Sequence, residues 1–354
     1  MGGGLAGLTL GIALRQRAVA VELREALGYP RHRVCGEFIC GRGLGSLQRL
    51  GLLPLLYEAG GRPARSFALF MAASTLPPRD LPSCRPAGEG MAALPGAFCV
   101  SRWTLDALLA AEFERLGGVI RRERHPLAEG GGLKPTPEGV VDATGRKLAP
   151  KGALAGGKRW RWTGIKAHVR HLPLVADLEL HFGRDAYVGL CRLARDEVNV
   201  CGLFRHDSAL ARLADNWRRK LAQPPSLSVR LKEAQWVEGS FCAVSGLDFR
   251  PVATPCRIGD ALGMLPPFTG NGMSAAFESA ELAVAPLAAY ALGRQSWEEA
   301  CRCIGSASRK RFGLRRFWGR LIHPMLFHPA ARGTLFGVIE RFPFLAGSVF
   351  RATR

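Results

Sequence analysis

The chain has 354 residues, 47 % of them hydrophobic, and a formal net charge of +20. That hydrophobic content excludes a disordered chain, and the length suits two interleaved domains better than one simple core. No apolar run is long enough to cross a bilayer, and the glycine-rich start lacks the basic stretch and apolar core of a secretory signal, so a cytoplasmic location is expected.

Ten cysteines are scattered along the chain with no CxxC and no histidine partner at zinc spacing. Reduced thiols and no metal are expected.

The elements follow in order. Residues 8–17 carry apolar positions at helical spacing, and residues 18–23 (AVAVEL) read as a short buried strand ended by Arg24 and Glu25. A loop, GYPRHRVCGEF, leads to a helix expected over 42–58. Residues 61–97 are rich in Pro, Ser and Gly with weak strand character. Residues 101–117 form the clearest helix, with Ser101 or Thr104 as its cap and Gly117 at its end. A short strand, GVVDATGR, interrupts a Gly-, Pro- and Lys-rich stretch over 125–158. Residues 160–204 alternate as strands do, a charged helix is expected over 207–222, and 256–290 reads as strand, loop and helix. Residues 296–354 read as basic amphipathic helices punctuated by Pro324, Pro329 and Pro343.

Two glycine turns carry the chemistry. Gly2, Gly4 and Gly7 fit G-x-G-x-x-G, in which the glycines allow a tight turn, close approach of backbone to a pyrophosphate, and close helix packing. Glu25 lies 18 residues past Gly7, where an acid accepts hydrogen bonds from a ribose. The motif follows Met1 directly, so the first, central strand expected before it is absent from the sequence as given, through either a misplaced start or a truncation. Such a sheet is expected to expose ladder groups and apolar surface on both neighbours of the gap. The second turn is GDALGMLPPFTGNGMS, with Gly259 and Asp260 after a short strand and Pro267, Gly270, Asn271 and Gly272 leading into a long helix. A glycine turn at a helix N-terminus offers amide donors to an anion.

This second block closely resembles the flavin-binding "GD" block of the geranylgeranyl-reductase and aromatic-hydroxylase flavoproteins, the group A flavoprotein monooxygenase superfamily. PRHRVCGEF (30–38), SRWTLDALL (101–109) and VVDATGR (140–146) resemble further blocks of that superfamily in the same order. The resemblance implies an α/β, glutathione-reductase-like fold with a Rossmann-like FAD domain (1–60, 98–158 and 252–295). It also implies an inserted antiparallel substrate sheet (61–97 and 159–251) and leaves 296–354 as C-terminal helices.

By that resemblance Gly2, Gly4, Gly7 and Glu25 hold the ADP half of FAD, and Arg102 sits near the pyrophosphate or flavin. Asp142 and Gly145 line the second nucleotide loop. Gly259 and Asp260 hold the ribityl chain and phosphate, and Pro267, Gly270, Asn271 and Gly272 face the flavin pyrimidine. Cys35 stands beside the isoalloxazine, where it is the one catalytic candidate. Trp162, Val169, Val188 and Leu190 are expected to face inward from the substrate sheet and to suit a prenyl, polyketide-like or aromatic substrate. NAD(P)H is the implied electron donor, with no second glycine motif for it. Reduced flavin then either reduces a C=C bond or activates O2 for hydroxylation. The isoprenoid-reductase signature Y-x-W-x-F-P reads YVGLCRL here (187–193), which argues against a strict isoprenoid reductase. A truncated, inactive membrane-associated homologue is the remaining alternative.

Between Cys301 and Arg354 eleven Lys/Arg face a single acid, Glu340. Two readings stay open: a peripheral membrane segment over 309–354 with Phe, Trp and Leu inserted, and a solvated helical cap. No nucleic-acid-binding module is recognised.

Overall fold

In the computed structural model, α1 (Leu5–Arg15) starts at the first glycine turn and leads to β1 (Glu22–Arg24). The structure describes residues 1–71, 75–81, 83, 93–123, 137–145, 161–206, 213–247, 249 and 256–341. Residues 342–354, part of the basic tail, lie outside them, as do the segments expected to be Gly-, Pro- and Lys-rich over 124–136 and 146–160.

After β1 come β2 (Phe38–Cys40), α2 (Arg42–Arg49) and α3 (Leu53–Glu58). The single helix expected over 42–58 is therefore two, because Gly51 turns the chain with φ +68° between them. Next are β3 (Arg62–Ala64), β4 (Ser66–Phe70), β5 (Thr75–Asp80) and β6 (Ala97–Cys99). Helix α4 (Arg102–Arg115) opens where Ser101 accepts from Trp103 N at 3.2 Å, as its sequence signals, and β7 (Val119–Arg121) pairs parallel to β1.

The long antiparallel strands are β8 (Arg161–Arg170), β9 (Leu178–Gly183), β10 (Ala186–Arg192) and β11 (Glu197–His206). Helices α5 (Leu213–Leu221), α6 (Pro225–Ser228) and α7 (Arg230–Glu233) follow, then β12 (Gln235–Trp236) and β13 (Cys242–Ser245). The last helices among the described residues are α8 (Gly272–Ala291), α9 (Trp297–Leu326) and α10 (Pro329–Arg341). Pro324 sits in the last turn of α9, and Pro329 opens α10.

One eight-stranded sheet runs β12-β8-β11-β10-β9-β4-β5, with β13 also on β8. Its strands come from 66–80 and 161–245, the two stretches in which a substrate sheet was expected, while β3 pairs instead with β6, which also pairs with β2, in a small separate sheet. Parity corrects one expectation. Val169, Val188 and Leu190 belong to the core beneath Leu221, Leu227 and Leu231 on the outer face, although Leu190 also borders the cavity. The inner face carries the alternate residues Gly164, Lys166, His168, Tyr187 and Gly189, because side chains change face at every step. Trp162 does lie inward, in a cluster with Phe249, His323 and Phe327.

At the gap expected before the first glycine turn, Met1 and Gly2 bridge the neighbours at one level. Gly2 N donates to Arg24 O at 2.8 Å, Met1 N to Val141 O at 2.7 Å, and Ala143 N to Met1 O at 2.7 Å. The expectation of reduced thiols fails for one pair: Cys256 and Cys301 form a disulfide tying the segment before Gly259 to α9.

The largest core packs α1 against α4 and α8. Phe113 is fully buried there, flat against Gly11 and Gly118, whose lack of side chains makes room for its ring. Phe113→Ala removes the ring from a site with no slack and should cost about 3–5 kcal/mol, read as a lowered urea midpoint by circular dichroism; a loss below about 1 kcal/mol would contradict this packing.

Candidate functional site

The first turn is built around missing side chains. Gly2 has φ +96°, and a Cβ there would overlap the Ala143 carbonyl; a Cβ on Gly7 would overlap the carbonyl of Gly2. A Cβ on Gly4 meets nothing within 4 Å, because it would point into open space. Gly4 caps α1 without a side chain, so the first amides of the helix have no partner within it and face that space with the positive end of the dipole. An arrangement of this kind, closed on one side by Gly7 and open on the other, suits an anion.

Glu25, only 8 % exposed, sits at the end of β1. Its Oε2 accepts from Gly3 N at 2.7 Å and pairs with Arg31 Nη2 at 2.9 Å. Arg33 pairs with Asp106 at 3.2 Å, and Arg102 forks onto the same carboxylate at 2.6 and 2.7 Å. Arg102 is buried, not a surface helix-end residue, and Arg31, Arg33 and Arg102 all border one cavity. Arg31 and Arg33 lie inside PRHRVCGEF and belong to no motif of their own; their only signal in the sequence is that two arginines follow an acid that ends a strand.

The second turn abuts the first. Gly259 has φ +60°, and a Cβ on it would lie 2.9 Å from the Cβ of Ala6 in α1. Gly259 N donates to Ser279 Oγ at 2.8 Å, which fastens the turn to α8. Further on, Gly270 (φ +65°) lies flat on the Phe38 ring, leaving no room for a side chain. Gly272 starts α8 with open space before it, so this helix too aims free amides at the cavity.

Both turns line a single cavity of about 670 Å³. Gly2, Gly4, Glu25, Cys35, Arg102, Gly145, Gly259, Asp260, Pro267, Gly270 and Gly272 all border it, although they span most of the chain. Gly7 stands behind the first turn. Asp142 pairs with the buried Arg257 at 3.3 Å, and Asn271 turns its Oδ1 to Cys40 Sγ at 3.3 Å.

The loop over 33–38 separates the two halves of the molecule and is held by a buried polar network that sequence reading did not find. Glu37, fully buried with φ +57°, accepts from Arg102 N at 2.9 Å. Its other oxygen meets His168 Nε2 at 2.7 Å, and Lys166 Nζ lies 3.3 Å from Oε1. Burial works against the Glu37 carboxylate, but Lys166 and His168 outweigh it and hold the group at about 2. Burial likewise lowers His168, and its bonds to Glu197 and Glu37 more than offset that, raising it above its ordinary value. His32, Glu37 and His168 lie close enough to hold a metal. The Lys166 ammonium, 2.8 Å from His32 Nδ1, already supplies the positive charge there. Cys35 receives a bond from Asn199 on its carbonyl at 3.0 Å, and burial pushes its thiol up, away from the thiolate that nucleophilic work needs.

The far part of the cavity is apolar, walled by Phe67, Leu76, Leu180 and Phe182 from the sheet and by Ile322, Leu326 and Phe336 from α9 and α10. At this wall the Tyr187 hydroxyl has no hydrogen-bond partner among the described residues, and neither has Nε2 of the nearby buried His323, whose ring centroid lies 6.4 Å from that of Tyr187. Tyr187 is 4 % exposed, borders the cavity, and lies beside the Phe268 backbone. His323 stacks over Phe268, and burial lowers it to about 3, so it is neutral. The sequence placed Tyr187 on a strand and His323 in a basic tail; only the fold brings them together.

No family model matches the chain, and no curated protein matches it. Solved structures do. Klebsiella pneumoniae HpxO complexed with FAD and uric acid superposes with TM-score 0.71 at 16 % identity, covering 99 % of this chain and 95 % of its own. A flavin-dependent brominase gives 0.68 at 18 %, covering 99 % and 91 %. P. aeruginosa PqsL in complex with 2-aminobenzoylacetate gives 0.68 at 14 %, covering 95 % and 98 %. At these identities the likeness is one of fold: the chain has the architecture of the FAD-dependent monooxygenases and halogenases.

Removing the anchor of the 33–38 loop should be costly. Glu37→Ala leaves Lys166 buried without its carboxylate and should lose about 3–5 kcal/mol. The depressed Glu37 contributes fully above its ordinary value of 4.5 and loses that contribution as pH falls toward about 2. The raised His168 contributes fully below its ordinary 6.5 and loses it as pH rises through its higher folded value. The difference in urea midpoint between wild type and Glu37→Ala should therefore be largest near pH 5–6 and shrink on both sides; a difference independent of pH would refute the assignment.

Proposed function

We propose that the chain is an FAD-dependent oxidoreductase of the monooxygenase type acting on an apolar small molecule, with NAD(P)H as electron donor. One observation carries the reading: two glycine turns some 250 residues apart in sequence open onto one cavity, each with a helix N-terminus behind it. The cavity volume lies within the range of about 300–1,000 Å³ usual for ligand and cofactor sites. The residues fit the cofactor. The open space at Gly4 admits a pyrophosphate, and the amides of α1 with Arg31, Arg33 and Arg102 offset its charge. Glu25 accepts ribose hydroxyls, and Asp260 stands at the second turn for the ribityl chain.

When bound, a flavin supplies hydride acceptance from a nicotinamide and activation of O2. This chain's residues then bind and orient. The first amides of α8 favour negative charge at the end of the cavity they face. The apolar wall excludes water and holds a hydrophobic substrate. The Tyr187 hydroxyl, unpartnered and facing this wall, donates to a polar group on that substrate, since a buried hydroxyl left unbonded costs about 1–3 kcal/mol. Chemistry carried by a cofactor accounts for a site whose thiol is held neutral. The oxygenases and halogenases among the structural neighbours favour oxygenation over C=C reduction.

Purified protein should bind FAD and show its absorbance bands in the blue. Gly4→Val tests the cradle. Gly4 has φ −88° and ψ −173°, which any residue adopts, so the variant should keep its melting temperature while losing FAD at least about a hundredfold. NADPH oxidation should yield hydroxylated product only in air. Wild-type protein that takes up no flavin, or a Gly4→Val variant that binds it normally, would end this reading.

A further inference from the structure

Helices α9 and α10 show one face to the cavity and another to solvent. Inward, Ile322 and Leu326 of α9 and Leu335 and Phe336 of α10 border the cavity. Outward, α9 exposes Leu314, Phe317 and Leu321 at 60 %, 61 % and 52 %. Their spacing of three and four residues puts them in one stripe along the helix. Val338 of α10 adds an exposed apolar residue at 41 %.

The stripe has a charged edge. Arg302, Arg309 and Arg320 are exposed and recur after seven and eleven residues, which brings them to nearly the same angle around α9, beside the apolar line. Lys310 is also exposed. None of these four makes an ion pair among the described residues, whereas Arg311 and Arg315, turned inward, are bound by Glu278. Acids on α9 are confined to its first turn, at Glu298 and Glu299.

A solvated face accounts for arginines, but large apolar side chains in register beside them serve a surface that is apolar inside and anionic outside. We propose that the outer face of α9 docks on an anionic phospholipid bilayer, with Leu314, Phe317 and Leu321 inserted among the acyl chains and Arg302, Arg309 and Arg320 at the headgroups. Contact is peripheral, since no helix among the described residues is long and apolar enough to cross a membrane. The placement sets the apolar wall of the cavity one helix away from the bilayer that stores hydrophobic molecules. The docking itself does not depend on whether the cavity holds flavin.

The test is co-sedimentation of the full chain with vesicles of phosphatidylcholine alone or with 30 % phosphatidylserine, with size-exclusion chromatography alongside. Wild type should bind the anionic vesicles and release in 0.5 M NaCl, with weak binding to neutral ones. The variant L314S/F317S/L321S, changed only at exposed side chains, should keep its melting temperature and lose binding at least about tenfold. Replacing Arg302, Arg309 and Arg320 by Gln should weaken anionic binding by about fivefold per residue and flatten the salt dependence. Wild type left in solution, a serine variant that binds as wild type does, or equal binding to neutral vesicles would overturn the proposal. A wild-type dimer that the serine variant converts to monomer would assign the face to a second copy of the chain and overturn it too.

Discussion

The buried carboxylate of Glu37 is the constraint on which the two halves of the molecule depend. One oxygen takes the backbone amide that opens α4 and the other takes His168 in the large sheet, with the Lys166 ammonium alongside. The loop bearing Val34, Cys35 and Gly36 is thereby pinned between the half that carries the glycine turns and the sheet, bordering the cavity. A charge taken wholly out of water is tolerated only when its partners surround it, so the loop cannot shift without leaving Lys166 or Glu37 uncompensated. Glu37 also holds a left-handed backbone conformation that its anchors impose. The placement of the loop between the glycine turns and the apolar wall thus rests on an electrostatic lock.

Around that lock the cavity is graded. One end is backbone amide and guanidinium, the α1 turn with Arg31, Arg33 and Arg102. The other is hydrocarbon, walled from both the sheet and the C-terminal helices. Low polarity there strengthens every remaining electrostatic interaction, and the Tyr187 hydroxyl is a polar feature of that wall, with the neutral His323 near it. Orientation of a substrate would follow from few bonds in a dry site, as it does in pockets that are apolar with a small number of placed donors.

Helices α9 and α10 connect this interior to the outside. The disulfide from Cys256 to Cys301 and the Arg315–Glu278 pair fasten α9 to the segment before Gly259 and to α8. The wall of the apolar end is therefore attached to the same two elements that form the second glycine turn. A helix held so firmly on its inner face is free to use its outer face for recognition.

The glycines at 2, 4, 7, 259, 270 and 272, the acid at 25 and the Ser101 cap were legible in the sequence, because each is a local requirement: a turn, a close approach, a strand end, a free amide to satisfy. Helix periodicity likewise marked α1, α4 and α8. The sheet's strands were visible, but which face looks inward was not, since a single step of register exchanges Val169 and Val188 for His168 and Tyr187. The split at Gly51 passed unnoticed because the apolar pattern runs through it. Glu37, Lys166 and His168 are 129 and 131 residues apart in sequence, and Cys256 and Cys301 are 45 apart, so no local pattern joins them. What the sequence determined by itself is the set of backbone sites fit for a nucleotide. Only the tertiary structure decided that they share one cavity and that a buried charge network holds the loop bordering it. It also decided that the basic C-terminal helix turns one apolar face in and another out, because burial and pairing at long range are properties of the packed chain.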